Sequence, residues 1–304
     1  MSTSNDVATR CGQQRKRLAI HSALWIGGST VGSAIAVLYF GPTPFDLILL
    51  GIFYFTSNIG ISVGFHRLLA HRSFEASSFL RYLLLIAGCT AAQGSPAYWA
   101  ILHRQHHRFS DKEGDPHSPI ARYRAHHLRG FLHAHIGWIN QTRMLRPDRA
   151  SIDLLKDRSV QIISDFYYPL AALGVLVPAI AGWLHYRNVC GAFDGALWGG
   201  AVRLLLVHHT IWSINSICHL WGTQSYNTGD DSRNNWILAL FSVGESWHNN
   251  HHVAAGSARF GHKWWQLDIG YLVIKTCCLL GLAKSPRPLP LKMLTVMQPS
   301  PRGS

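Results

Sequence analysis

The sequence predicts an all-α integral membrane protein with four transmembrane helices and a cytosolic helical cap that holds metal. Three observations predict it. Hydrophobic residues fill 48% of the 304 positions and charged residues only 14%, against roughly 25% charged in soluble domains. Apolar stretches of the length needed to cross a bilayer, roughly 20 residues, alternate with polar ones. Histidine accounts for 19 residues, many of them in short, spaced clusters. The same figures exclude a disordered chain, which pairs low hydrophobicity with high charge. They also count against a soluble enzyme, whose surface needs more charge. Lys and Arg outnumber Asp and Glu by 28 to 15, a net charge of +13, which fits basic cytosolic loops and an anionic partner. Nucleic acid is not indicated, because no basic helix or recognition motif accompanies the charge. The six cysteines form no CxxC pair, so neither a disulfide framework nor a thiolate zinc site is expected.

Residues 1–17 are polar and end in Arg10, Arg15, Lys16 and Arg17, a basic N-terminus that the positive-inside rule places in the cytosol. The first span covers about 18–40. A signal peptide cleaved near Ala34-Ile35-Ala36 is the competing reading; the long polar lead and the further spans argue against it. Gly41-Pro42-Thr43-Pro44 turns the chain into a second span, about 45–65, ending at His66. Residues 78–99 are apolar but contain Arg81, Gln93 and Pro96, and read as one buried or interfacial helix. Residues 103–165 are polar and must lie in water. Spans three and four fall at about 166–184 and 195–216. The weaker stretch 271–282 is too short to cross a bilayer and reads as interfacial. Residues 283–304 form a Pro-rich, loose cytosolic tail. One domain, 18–282, therefore carries four spans in two hairpins, with both termini and the histidine loop on the cytosolic side.

Three histidine clusters stand out: His66 with His71, His103 with His106 and His107, and His248 with His251 and His252. Members three and four apart share a helix face. Members five apart diverge by about 140° on an ideal helix, so the helix must end or bend between His66 and His71. Asn215 and His219 lie one turn apart at the end of the last span. Neutral imidazole binds iron, copper, nickel and zinc. A lone histidine is usually structural, but eight in spaced groups at span ends are not explained by packing. One zinc uses three or four protein ligands, which leaves a surplus, and H-E-x-x-H is absent. Two metals with open positions is the economical reading. Soluble di-iron bundles draw on several Glu and two Glu-x-x-His motifs; here only Glu245 to His248 fits, so the site is almost wholly histidine. His126, His127, His133 and His135 read as surface or packing groups. Arg203, His208 and His209 are intramembrane ionisable residues, which usually face the protein interior.

Taken together, these motifs resemble the membrane-bound fatty acyl desaturases, in their Δ9 (stearoyl-CoA desaturase-like) branch. The resemblance runs over about residues 45–282. It rests on residues 64–72 (GFHRLLAHR), 103–111 (HRQHHRFSD), 115–117 (DPH), 212–219 (WSINSICH) and 244–252 (GESWHNNHH). Ser246 stands where the family usually has Gly. The resemblance implies two irons: one held by His66, His71, His107, His248 and His252, the other by His103, His106, His219 and His251, with Asn215 reaching it through water. Asp111, Asp115, His117 and Glu245 are expected behind the ligands, where carboxylates orient imidazoles. It further implies that O2 and two external electrons are used to place a cis double bond at about C9–C10 of a saturated acyl chain. No cytochrome b5-type His-Pro-Gly-Gly core, GxGxxG loop or Cys cluster is present, so a separate ferredoxin or cytochrome b5-like donor is expected at the basic surface.

Other functions are weighed against this one. A membrane di-iron hydroxylase shares similar boxes and differs in retaining oxygen in the product. A haem electron-transfer protein would need His21 paired with His208 or His209. A metal transporter would need ligands near mid-membrane, whereas these boxes sit at span ends. The substrate is read as a fatty acyl thioester or an acyl lipid. Arg67, Arg72, Arg104, Arg108, Arg122 and Arg124 are placed to meet phosphates, or equally to set topology. Asn58 and Tyr54 lie on the helix face of His66, about 12 and 18 Å back along the axis, where an acyl tail beyond C9 would end. With Arg104 and Trp212 they are the candidate substrate contacts.

Overall fold

The computed structural model describes residues 20–121, 123, 127–141 and 151–290. Four helices are long and apolar enough to cross a membrane. The first hairpin is α1 (Ser22–Tyr39) and α2 (Pro44–Ala70). A capping box fixes its turn: the Thr43 hydroxyl accepts from Asp46 N–H, and the Asp46 carboxylate accepts from Thr43 N–H at 2.9 Å. Pro44 occupies the first helical position, where its missing N–H costs nothing. The end of α2, Gly60–Ala70, is π-helical. The N–H of His71 bonds the carbonyl of His66 at 3.0 Å, so the wider i→i+5 turn returns His71 to the face of His66. Their ring centroids are 4.9 Å apart. The helix thus both widens and ends where the five-residue spacing required it.

After β1 (Glu75–Ala76) come α3 (Ser78–Cys89) and α4 (Pro96–Phe109). The single helix expected over 78–99 is corrected to two. Ala92 and Gly94 take φ of 52° and 99°, Ser95 caps α4, and Pro96 cannot continue a preceding helix. The α3 helix runs antiparallel to α2 at backbone contact, since a Cβ on Gly60 would lie 2.1 Å from Gly88 N. Such small-residue contacts are how apolar helices approach closely in lipid.

The cap continues with α5 (127–141), α6 (Ile152–Lys156) and α7 (Arg158–Asp165). Arg81 ties α3 to the start of α7 through Asp157 and Ser159, at 2.5 and 2.7 Å. The second hairpin is α8 (Tyr167–Tyr186) and α9 (Val189–His219). Both α1 and α2 pack against the Gly195–Val202 stretch of α9. Three short helices follow: α10 (Trp236–Phe241), α11 (His248–Val253) and α12 (Ile269–Leu279). Then β2 (Ala283–Lys284) pairs antiparallel with β1.

Arg203 is fully buried within α9. Its guanidinium donates to the carbonyls of Gly199, Thr90 and Gly174 and to the Ser57 hydroxyl. Thr90 closes α3, so the cation sits at the negative end of that helix. This is how an intramembrane charge with no carboxylate partner among the described residues is accommodated. The start of the tail, expected to be loose, is tied down: Arg287 N–H bonds Ser73 O at 2.7 Å, and Arg287 O accepts from Ala258 N–H at 3.0 Å. Residues 1–17 and 291–304, with Arg122, Arg124 and His126, lie outside the described residues.

Candidate metal centre

Imidazoles from four segments converge beneath the cap. His66 and His71 close α2, His103, His106 and His107 line α4, His219 ends α9, and His248, His251 and His252 lie on α11. They form two groups, in each of which the ligand atoms lie within 4.8 Å of one another. One comprises His66, His71, His103, His107 and His251. The other comprises His106, His219, His248 and His252.

This grouping differs from the partition implied by the resemblance. His103 and His251 join the first group, and His248 and His252 the second. The reason is helical geometry. Residues four apart nearly superpose on a helix face, whereas the residue between them diverges. In α4 the His103 and His107 rings are 4.6 Å apart, but His106 lies 6.1 and 5.6 Å from them. In α11 the His248 and His252 rings are 4.3 Å apart, with His251 at 5.9 and 5.7 Å. Each box therefore gives its i, i+4 pair to one group and its remaining ring to the other.

Carboxylates stand behind four of the rings. Glu245 accepts from Nδ1 of His66, Asp115 from His106 at 3.0 Å, Asp111 from His219 at 2.7 Å and Asp230 from His252 at 2.6 Å. The acids are themselves held. Arg67, fully buried, bridges Glu245 at 2.5 Å and Asp268 at 2.9 Å, and Ser62 donates to Glu245 at 2.6 Å. Asp230 accepts from Thr228 and Ser232, both at 2.5 Å. Burial pushes the Glu245 carboxyl up, but His66 and Arg67 pull it below its ordinary value. Burial likewise opposes Asp111, yet the facing His219 ring carries it down to about 2. His117 packs its ring 4.4 Å from His106, with Nδ1 at 3.8 Å from Asp115.

Burial, reinforced by neighbouring imidazoles, drives His71, His103, His107, His248 and His251 well below the usual histidine value. Burial lowers His252 to about 4 against the opposing pull of Asp230. Neutral imidazole is the form that binds metal. A carboxylate on Nδ1–H leaves the Nε2 lone pair pointing inward. Facing Nε2 atoms lie 3.0 Å apart in His66–His251 and His219–His248, 2.9 Å in His107–His251 and 2.8 Å in His71–His103. Nitrogens bound at right angles to one ion at about 2.1 Å would stand about 3.0 Å apart. The donor set and its spacing thus fit two divalent transition metals.

A cavity of about 480 Å³ opens onto both groups. His66, His103, His106, His248, Glu245 and Asn215 form its polar end, and Ile61, Trp99, Ile211 and Ile214 its apolar walls. Asn58 and Thr210 are also in the lining. Tyr54 is outside it, but its hydroxyl lies 2.9 Å from both Thr210 Oγ1 and the Phe241 carbonyl. Asn58 donates back to the Tyr54 carbonyl at 3.0 Å, which supplies the partner its buried amide needs. Arg104 is engaged by Asp153 at 2.7 and 3.1 Å and by the Leu69 and Ala70 carbonyls. Trp212 is buried and donates to Gln93 at 3.2 Å. His208 bonds the Ala91 carbonyl and His209 bonds His135.

Sequence reasoning missed Asp230, the Arg67–Glu245–Asp268 bridge and most of the cavity wall. Asp230 sits in a Thr-Gly-Asp-Asp-Ser turn 22 residues before His252, and no spacing rule links the two. The hydroxyls around that acid were the available signal.

The profile of the fatty acid desaturase family matches residues 41–280. A hex-5-enoyl-[acyl-carrier protein] acetylenase of Moorena producens is 39% identical over 280 residues, covering 90% of this chain and 84% of that protein. Delta-9 acyl-lipid desaturase 2 of Arabidopsis thaliana is 40% identical, covering 76% of this chain and 71% of its own. An sn-1 stearoyl-lipid 9-desaturase of Synechocystis is 38% identical, covering 82% and 75%. On this extent of similarity, and with two histidine groups gathered from α2, α4, α9 and α11, the chain belongs to the fatty acid desaturase family of membrane oxidoreductases.

Proposed function

We propose that the protein inserts a cis double bond at about C9–C10 of a saturated acyl chain, using O2 and two electrons from a ferredoxin or cytochrome b5-like donor. The observation that carries this reading is the cavity, which joins an apolar slot to both imidazole groups. Two irons, held by His66, His71, His103, His107 and His251 and by His106, His219, His248 and His252, would supply the oxidising power to take hydrogen from unactivated C–H bonds, chemistry beyond any side chain. Asn215, in the cavity wall beside the second group, would reach its iron through water.

The chain's own residues do the rest. Ile61, Trp99, Ile211 and Ile214 hold the methylenes and exclude water at the metals. Trp99 stacks on His103 with ring centroids 5.0 Å apart, so the wall that positions substrate also fixes a ligand. Glu245, Asp111, Asp115 and Asp230 keep the Nδ1 protons in place, so that each ring presents Nε2. The histidine cap and both termini face the cytosol, where the donor would dock.

Product analysis is the test. Expression in a host that lacks unsaturated chains should yield monounsaturated chains cleaved by ozonolysis at C9. A double bond elsewhere would correct the position, a triple bond or an alcohol would change the reaction, and an unchanged lipid profile would refute it.

A further inference from the structure

The six residues of α10, Trp-Ile-Leu-Ala-Leu-Phe, expose Trp236, Ile237, Leu240 and Phe241 by half or more. Trp264, 94% exposed, and Trp265 project from the neighbouring loop. Both features lean on Trp247: α10 packs against it through Ala239, and Trp265 meets its ring edge-on at 5.5 Å. This surface is continuous with the membrane helices, because the Phe241 carbonyl bonds Tyr54 of α2. Tyr54 precedes His66 by 12 positions, about 18 Å along the helix toward the bilayer. Tyr54 is the eleventh of the 27 residues of Pro44–Ala70, and an exposed apolar patch level with the interior of a span marks a face turned to lipid. The same hydroxyl bonds Thr210 of α9, so one group latches α2, α9 and α10 together beside the Thr210 wall of the cavity. Ser242, the residue after α10, lines that cavity. Val243 and Gly244 follow with φ of 51° and 100°, and a β-branched residue in the left-handed region is strained.

We infer that α10 is a lateral gate, bathed in lipid, through which an acyl chain still attached to a membrane lipid enters the cavity from the bilayer. The inference rests on the desaturase reading and adds to it the substrate's attachment and its route. Opening parts the Tyr54 hydroxyl from Thr210 and Phe241, and the strained Val243–Gly244 link lets α10 swing.

Thr210 Oγ1 and Phe241 O both lie 2.9 Å from one oxygen, so a Thr210→Cys, Phe241→Cys pair is within reach of a short, reducible bis-methanethiosulfonate cross-linker that staples the seam. The full-length protein in phosphatidylcholine vesicles is irradiated with a phosphatidylcholine bearing a mid-chain diazirine, or with the matching acyl thioester. Lipid-probe labelling of the cavity is expected to fall at least tenfold on cross-linking of the pair and to recover with reductant, while thioester labelling persists. Lipid labelling that ignores the staple overturns the gate, as does a staple that abolishes both labels. If the thioester alone labels the unstapled protein, the gate fails and the desaturase reading stands; if neither probe labels it, both fail. A nitroxide at Ile237→Cys gives a second measure. Collisions with O2 should exceed those with a water-soluble nickel chelate, and the reverse order overturns the lipid placement.

Discussion

His106 and His252 point their Nε2 atoms at each other across 3.4 Å, while each gives its Nδ1 proton to a carboxylate, Asp115 and Asp230 respectively. Each ring thereby turns its Nε2 inward, and a divalent transition metal bound by both would hold two such nitrogens at about this separation. The two acids therefore prepare the second group for metal.

Asp230→Ala tests this. Loss of such a carboxylate typically weakens metal binding 10–100-fold, so the variant is expected to keep about one tightly held metal per chain after chelator dialysis. Elemental analysis of the membrane-extracted protein gives the answer. Two metals retained as firmly as in the parent would show that Asp230 does not hold His252 for ligation.

His107→Ala and His252→Ala remove one ligand from different groups. Each should abolish desaturation while the protein still accumulates in the membrane, because neither ring supports a span. Their metal losses should differ, His107→Ala emptying the five-histidine group and His252→Ala the four-histidine group. Full turnover in either variant would refute the two-metal assignment.

Arg203 is expected to be structural. Arg203→Met strips the Thr90 and Gly174 carbonyls of a donor, and each buried unsatisfied group costs about 1–3 kcal/mol. Thermal unfolding in detergent should shift down by roughly 5 °C or more. An unshifted Tm would mean that other donors replace the guanidinium.

Chain length is expected to be set where the cavity closes. Tyr54→Ala removes the ring beyond Asn58 and Thr210 and should admit longer chains, whereas Asn58→Leu fills the lining and should favour shorter ones. Saturated chains of 14 to 20 carbons, supplied in competition, report the preference. Identical profiles for both variants and the parent would assign these residues to packing alone.

Reporter fusions at residues 1 and 304 are expected to give the same cytosolic readout. Opposite readouts from the two ends would refute the four-span topology, because an even number of crossings must return the chain to its starting side.

The sequence by itself determined the four apolar helices, since bilayer length and composition are local properties of the chain. It also determined that two HxxHH boxes each present their imidazoles on one helix, because members three and four apart can be read from spacing alone. It required a bend or an end between His66 and His71, and the π-helical close of α2 provides one. The tertiary structure alone decided which rings lie together, since that depends on how α4 and α11 face each other rather than on spacing within either. It alone brought Asp230 to His252 and Asp268 to Arg67, pairs joined only when distant loops fold over the site. It also broke residues 78–99 into two helices and set Arg203 at the end of the first. That contact exists only because α9 crosses the break, and a buried cation in lipid must find carbonyls wherever the packing supplies them.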